Sequence, residues 1–89
     1  MAHIFFAASI QRHIATPERE VDARTVREAL EAVFVAQPRL RGYILDDQSV
    51  LRRHLVVFVD GRRVRDRQHL SDVLGEDSRV YVVQALSGG

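Results

Sequence analysis

The chain has 89 residues, 46% of them hydrophobic, with no cysteine and a formal net charge of +1 at pH 7. That is material for one domain, residues 1–89, with a modest globular core, and it excludes intrinsic disorder, disulfides, thiolate metal sites and a cysteine nucleophile. No apolar run has the length of a bilayer span and no signal-peptide pattern opens the chain, so a cytoplasmic protein without a membrane partner is expected.

Residues 3 to 12 read as a first strand. Ile4, Phe6, Ala8 and Ile10 alternate with His3, Phe5, Ala7 and Ser9, and Phe5 makes the second face partly apolar as well. Thr16-Pro17 marks a loop, and Arg19 to Ala23 can pair back as a short second strand. A helix follows. Thr25 and Glu28 have capping-box spacing, and Val26, Ala29, Leu30, Val33 and Phe34 draw one apolar stripe. Arg27 and Glu31 stand four apart as a modest ion pair, and Pro38 ends the helix.

Residues 39 to 53 are expected to be irregular apart from a short 3₁₀ segment, with Leu40, Tyr43, Ile44 and Leu45 turned inward. The run Leu55-Val56-Val57-Phe58-Val59 is apolar without alternation and suits a central strand covered on both sides. Asp60-Gly61 is the strongest two-residue hairpin signal, which makes Arg62 to Arg65 a short polar return strand. Leu70, Val73 and Leu74 suggest one helical turn before Gly75, and Glu76-Asp77-Ser78 turns the chain into a final strand from Arg79.

That strand carries the functional reading. Val80, Tyr81, Val82 and Val83 are strand formers. Ala85, Leu86 and Ser87 then lead into Gly88 and Gly89, so residues 85–89 are expected to form a flexible tail that ends in a carboxylate. The order strand, strand, helix, strand, short strand, strand predicts an α+β architecture: a mixed four- to five-stranded sheet with one main helix across it.

All thirteen basic side chains are arginine. Codon usage is one explanation. The other is chemical: arginine stays protonated and does not attack acyl groups, whereas lysine does. Six arginines, Arg52, Arg53, Arg62, Arg63, Arg65 and Arg67, fall within residues 52 to 67. They are either a solvated hairpin or a docking face for an acidic partner. Nucleic acid ranks below both, because no aromatic residues interleave for stacking. His3, His13, His54 and His69 share no ligand spacing, which argues against a metal site, and Ser9, Ser49, Ser71 and Ser87 have no nucleophile-elbow motif.

Four segments give this chain a recognisable likeness: Leu51-Arg52-Arg53-His54, Phe58-Val59-Asp60-Gly61, Gly75-Glu76-Asp77-Ser78-Arg79-Val80, and the terminal Ala85-Leu86-Ser87-Gly88-Gly89. In these it resembles the prokaryotic sulfur-carrier family (MoaD/ThiS-like) of the ubiquitin-like β-grasp fold. The family includes the small subunit of molybdopterin synthase, the thiamine sulfur carrier and a carrier serving cysteine synthesis. The resemblance implies a non-enzymatic carrier whose Gly89 carboxylate is adenylated and converted to a thiocarboxylate, with Gly88, Ser87 and Leu86 recognised as the tail. An E1-like adenylyltransferase (MoeB/ThiF-like) would supply ATP and Mg²⁺, and no cofactor would be resident in the carrier. A sulfur donor and an acceptor synthase complete the implied partners, which would dock on Arg52, Arg53, Arg62, Arg63, Arg65 and Phe58. Two other readings stay open: a ubiquitin-like modifier joined to target lysines through the same tail, and a β-grasp binding module whose Gly-Gly end is incidental.

Overall fold

A computed structural model describes residues 1–85. Its five strands are β1 (Ala2–Phe6), β2 (Arg19–Val21), β3 (Leu55–Val59), β4 (Arg62–Arg63) and β5 (Arg79–Gln84). They form one mixed sheet in the order β2-β1-β5-β3-β4. β5 pairs parallel with β1 and antiparallel with β3, so the last strand in sequence among the described residues is the middle of the sheet. Three helices are present: α1 (Ala8–Gln11), α2 (Val26–Ala36) and α3 (Pro38–Ile44). The fold is the ubiquitin-like β-grasp.

One face of the sheet makes the core. Ala2, Ile4 and Phe6 of β1, Val80 and Val82 of β5, and Leu55 and Val57 of β3 are buried with Leu30 and Val33 of α2 and Leu40 and Ile44 of α3. The stripe on α2 lands as its spacing dictates: Val26, Ala29, Leu30, Val33 and Phe34 are all buried. At its N-terminus the Glu28 amide donates to Thr25 Oγ1 over 3.2 Å. The Glu28 carboxylate in turn accepts from the Arg24 amide over 2.9 Å, a capping box whose return bond lands one residue before the cap.

Five expectations need correction. The first strand stops at Phe6 and not at residue 12. The Ala7 amide makes the last ladder bond, to the Val82 carbonyl, and α1 then begins. Ile10 remains in the core, delivered by a helical turn rather than by alternation. Residues 39 to 53 are not irregular throughout. Gln37, with φ −134° and ψ 74°, breaks the helical path, and Pro38 opens α3 from its first turn, where its missing N–H costs nothing. Pro38 therefore separates two helices, and Leu40 and Ile44 lie four apart on the buried side of the second.

The expected helical turn at residues 70–74 is absent. Asp66 Oδ1 accepts from the amides of Gln68 and His69, and its Oδ2 accepts from the Ser71 hydroxyl. The Asp72 carboxylate takes the amides of Arg65 and Asp66. These local side-chain bonds outcompete a helix for the same backbone donors. They also hold Leu70 at φ +55° with its side chain fully buried. Finally, β3 is not the central strand: it lies between β5 and β4, and its burial is complete only from Leu55 to Val57. The return strand is two residues long. The Val64 amide still donates to the Val57 carbonyl over 2.9 Å with its side chain buried, and the ladder ends there because the Asp72 carboxylate takes the next two amides.

Asp60-Gly61 makes the expected turn, with φ +50° and +85° at its two central residues. The Asp60 carboxylate also accepts from the Ser78 hydroxyl and the Arg79 amide, both over 2.9 Å. The hairpin loop is thereby tied to the start of β5. Among the described residues no helix is long and apolar enough to cross a membrane.

Candidate functional site

Gly89, Gly88, Ser87 and Leu86 lie outside the described residues, and the site is built from what surrounds their point of departure. Gln84 closes the ladder opposite Leu55, and the Ala85 amide donates to the His54 carbonyl over 2.7 Å. The root of the tail is thus pinned to the segment that leads into β3. β5 is hydrogen-bonded to a neighbour on both sides, so the residue from which 86–89 depart is fixed to the interior of the sheet.

The face of the sheet away from the helices leads to that root. Strand alternation puts Phe5, Tyr81, Phe58 and Arg63 there, and the register sets them side by side across four strands: Phe5 opposite Tyr81, Tyr81 opposite Phe58, Phe58 opposite Arg63. The Phe5 and Tyr81 rings stack at 4.7 Å with planes 13° apart, a favourable cross-strand pair. Tyr81 is 39% exposed, while Phe5 and Phe58 are half-buried. Val83 and Val56 form the next row toward the tail, and His3 and Arg79 pair at the other end. This is an apolar, aromatic stripe with cations at its margins. Of its members Phe58 and Arg63 were singled out from sequence. Tyr81 and Phe5 were legible as outward strand positions, but their pairing depends on a parallel register between the two ends of the chain.

The six arginines do not form one cluster. Arg67 turns inward: its guanidinium donates to the carbonyls of Leu55 (2.8 Å) and Arg52 (2.9 Å). Arg52 Nε donates to the Gly42 carbonyl over 2.9 Å, bracing α3. Arg62, Arg63 and Arg65 are exposed and line a shallow concavity with Val59, Asp66, Ser71 and Asp72 at the hairpin end. Arg53 is exposed at the tail's root, separated from them by the length of β3. Arginine on the two-residue edge strand β4 also discourages pairing with another chain.

The structure adds a grouping that sequence spacing does not reveal. The His13 and Tyr43 rings lie 5.3 Å apart, and Tyr43 meets His54 edge-on at 6.2 Å. Three segments remote in sequence thus meet beside the carbonyl that holds Ala85. His3 lies 6.5 Å from Phe5 on the open face, and His69 belongs to the Asp66 turn. Among the described residues no group of three His, Cys, Asp or Glu side chains gathers to hold a metal ion.

A family model described as the ThiS family matches residues 4–89. The chain belongs to the ThiS family. Among solved structures this ThiS-family chain is similar to SAMP1 from Haloferax volcanii, with 22% identity, a TM-score of 0.77 and coverage of 99% of this chain and 98% of that one. It is also similar to a chain of the Amycolatopsis orientalis BexX/CysO complex, at 18% identity, TM-score 0.82 and full coverage of both. A third is CysO from Mycobacterium tuberculosis, at 13% identity and TM-score 0.80, covering 97% of this chain and all of that one. No curated protein matches the sequence significantly. At these identities the structural likeness establishes the β-grasp fold, and the family match establishes membership of the ThiS family.

Proposed function

We propose that this protein is a sulfur carrier whose Gly89 carboxylate is activated by an E1-like adenylyltransferase and converted to a thiocarboxylate. The observation that carries the reading is the sequence Leu86-Ser87-Gly88-Gly89 one residue beyond β5, the central strand, with the intervening Ala85 amide pinned to the His54 carbonyl. An α-carboxylate with an ordinary pKa of about 3.3–3.7 is an anion at neutral pH. One of its oxygens attacks the α-phosphorus of ATP, and pyrophosphate departs with the electron pair of the broken P–O bond. Sulfide then attacks the carbonyl carbon, a C–S bond forms, and AMP leaves with the electron pair of the broken C–O bond. With a persulfide donor the first product is an acyl disulfide, and a thiolate of the donor protein breaks its S–S bond, leaving the thiocarboxylate and a disulfide on the donor. The resulting thiocarboxylate donates its sulfur in a biosynthetic pathway such as those of molybdopterin, thiamine or cysteine. ATP and Mg²⁺ are used on the partner enzyme.

Glycine at the last two positions lets a tail thread a narrow channel without side chains in the way. The stripe of Phe5, Tyr81 and Phe58, edged by Arg63, gives the activating enzyme and the acceptor an apolar surface with a basic margin to grip while the tail is inserted.

A second reading rests on the fold shared with SAMP1, a protein called a small archaeal modifier. The same activated Gly89 would then be captured by a lysine amine on a target. One experiment separates the two. Incubated with its cognate E1-like enzyme, ATP, Mg²⁺ and a sulfur donor, the protein is expected to gain the mass difference of one sulfur for one oxygen at Gly89. Deleting Gly89, or adding a residue after it, abolishes the product without changing Tm. Failure of the intact chain to be adenylated, or equal thiolation of the shortened chain, overturns the carrier reading. Recovery of the activated chain on lysines of other proteins establishes the modifier.

A further inference from the structure

We infer that the arginine-only surface keeps the activated carboxylate from being captured by the chain that carries it, and that the decisive position is Arg53 at the root of the tail. The inference rests on the proposed activation of Gly89.

At several positions the fold itself explains arginine. The Arg27 guanidinium donates to the carbonyls of His69, Ser49 and Gln68. Arg67 spans two carbonyls and Arg52 braces a third. A planar fork of donors does this, and a lysine amine on its flexible stem does not replace it. Arg53 is different. It is exposed, and none of the described residues accepts a hydrogen bond or ion pair from its guanidinium. Geometry there asks only for a cation, which lysine would supply equally well.

What distinguishes the position is reach. Arg53 precedes His54, whose carbonyl holds the Ala85 amide over 2.7 Å. Consecutive Cα atoms are about 3.8 Å apart, and the four residues beyond Ala85 span at most about 14 Å when fully extended. A side chain at residue 53 therefore lies within the contour length that joins Gly89 to Ala85. Were it a lysine, its unprotonated amine would attack the acyl-adenylate carbonyl. A C–N bond would form, the bond from the acyl carbon to the phosphate oxygen would break, AMP would leave with the electron pair, and the surplus proton would pass to water. The product is an internal amide, a permanent loss of the carrier. The imidazoles of His13 and His54 also stand near the root, but an acyl-imidazole is returned to the carboxylate by water and leaves no lasting adduct. As a modifier the same chain would be attached singly, since none of its side chains offers an amine to a second copy.

The test bypasses the activating enzyme. A C-terminal α-thioester is prepared on the wild type, Arg53→Lys, His54→Lys and Arg24→Lys by thiolysis of an intein fusion. Each is held at micromolar concentration near pH 8, and products are followed by intact mass and peptide mapping. Arg24 is exposed and lies beside Leu74 at the far end of the sheet. β5 and the step to Ala85 alone cover about 20 Å of that distance at 3.3–3.4 Å per residue. A tethered amine at residue 53 acts at an effective concentration of order millimolar, far above the protein concentration that governs an amine out of reach. Arg53→Lys and His54→Lys are expected to form the internal amide at least tenfold faster than Arg24→Lys, while the wild type only hydrolyses. Internal amide from the wild type, or equal rates for the near and far lysines, overturns the inference. Fast cyclisation of the two near variants, together with failure of the wild type to be adenylated by any E1-like enzyme, leaves this inference standing and removes the carrier reading instead.

Discussion

At Gly61, φ is +85° and an added Cβ would meet no atom within 4 Å, so only the backbone conformation demands glycine there. Gly61→Val is expected to cost about 2 kcal/mol, a fall in Tm of roughly 8–16 °C for a domain of this size. Gly42, inside α3, is equally uncrowded and has no positive φ. There Gly→Ala should raise stability by about 0.5–1 kcal/mol through helix propensity alone. Thermal melts of the two variants check both signs. A wild-type Tm for Gly61→Val would remove the type I′ assignment. A second test at this scale concerns Asp66, whose carboxyl is held below the usual aspartate range, first by the His69 amide and then by the Ser71 hydroxyl. A lowered folded pKa means that this group's contribution is complete above the unfolded value, about 3.9, and is lost as pH falls through the folded one. The stability difference between wild type and Asp66→Asn should therefore be constant near neutrality and shrink in acid. A difference that grows below pH 4 would contradict the sign.

At the scale of elements, what sequence revealed divides by how local the determining interactions are. α2 and the β3–β4 hairpin were legible because their signals, a capping box, an apolar stripe and Asp-Gly, act within a turn or two. α1 was not, because the apolar alternation through Ile10 is mimicked by a helical turn that buries the same residue. The loop at 66–72 was not, because two aspartates redirect backbone donors that a helix would have used. The candidate site shows the same division. Phe58 and the exposed Arg62, Arg63 and Arg65 were found by type and spacing. Arg67 was grouped with them because it is near in sequence, and the fold turns it inward to hold two carbonyls. The basic margin that remains predicts electrostatically assisted docking. Arg62→Glu with Arg63→Glu should slow association with an acidic partner while leaving Tm nearly unchanged, and the wild-type rate should fall as added salt shortens the screening length toward about 3 Å at 1 M. Stopped-flow rates that do not respond to salt or to the reversal would reduce these residues to edge protection.

For the molecule as a whole, the placement of β5 sets an order of events during synthesis. The strand between β1 and β3 is the last of the five strands to leave the ribosome, so until residue 84 emerges both neighbours have an unpaired edge. The β1–β5 ladder joins residues more than seventy positions apart, the kind of long-range pairing that slows folding and delays its reward. Nascent chains interrupted before Arg79 therefore expose unpaired edges and apolar surface and are substrates for proteases and chaperones. Emergence of β5 and completion of the sheet are therefore one event. A chain that displays Phe5, Tyr81 and Phe58 side by side has been translated at least through Gln84.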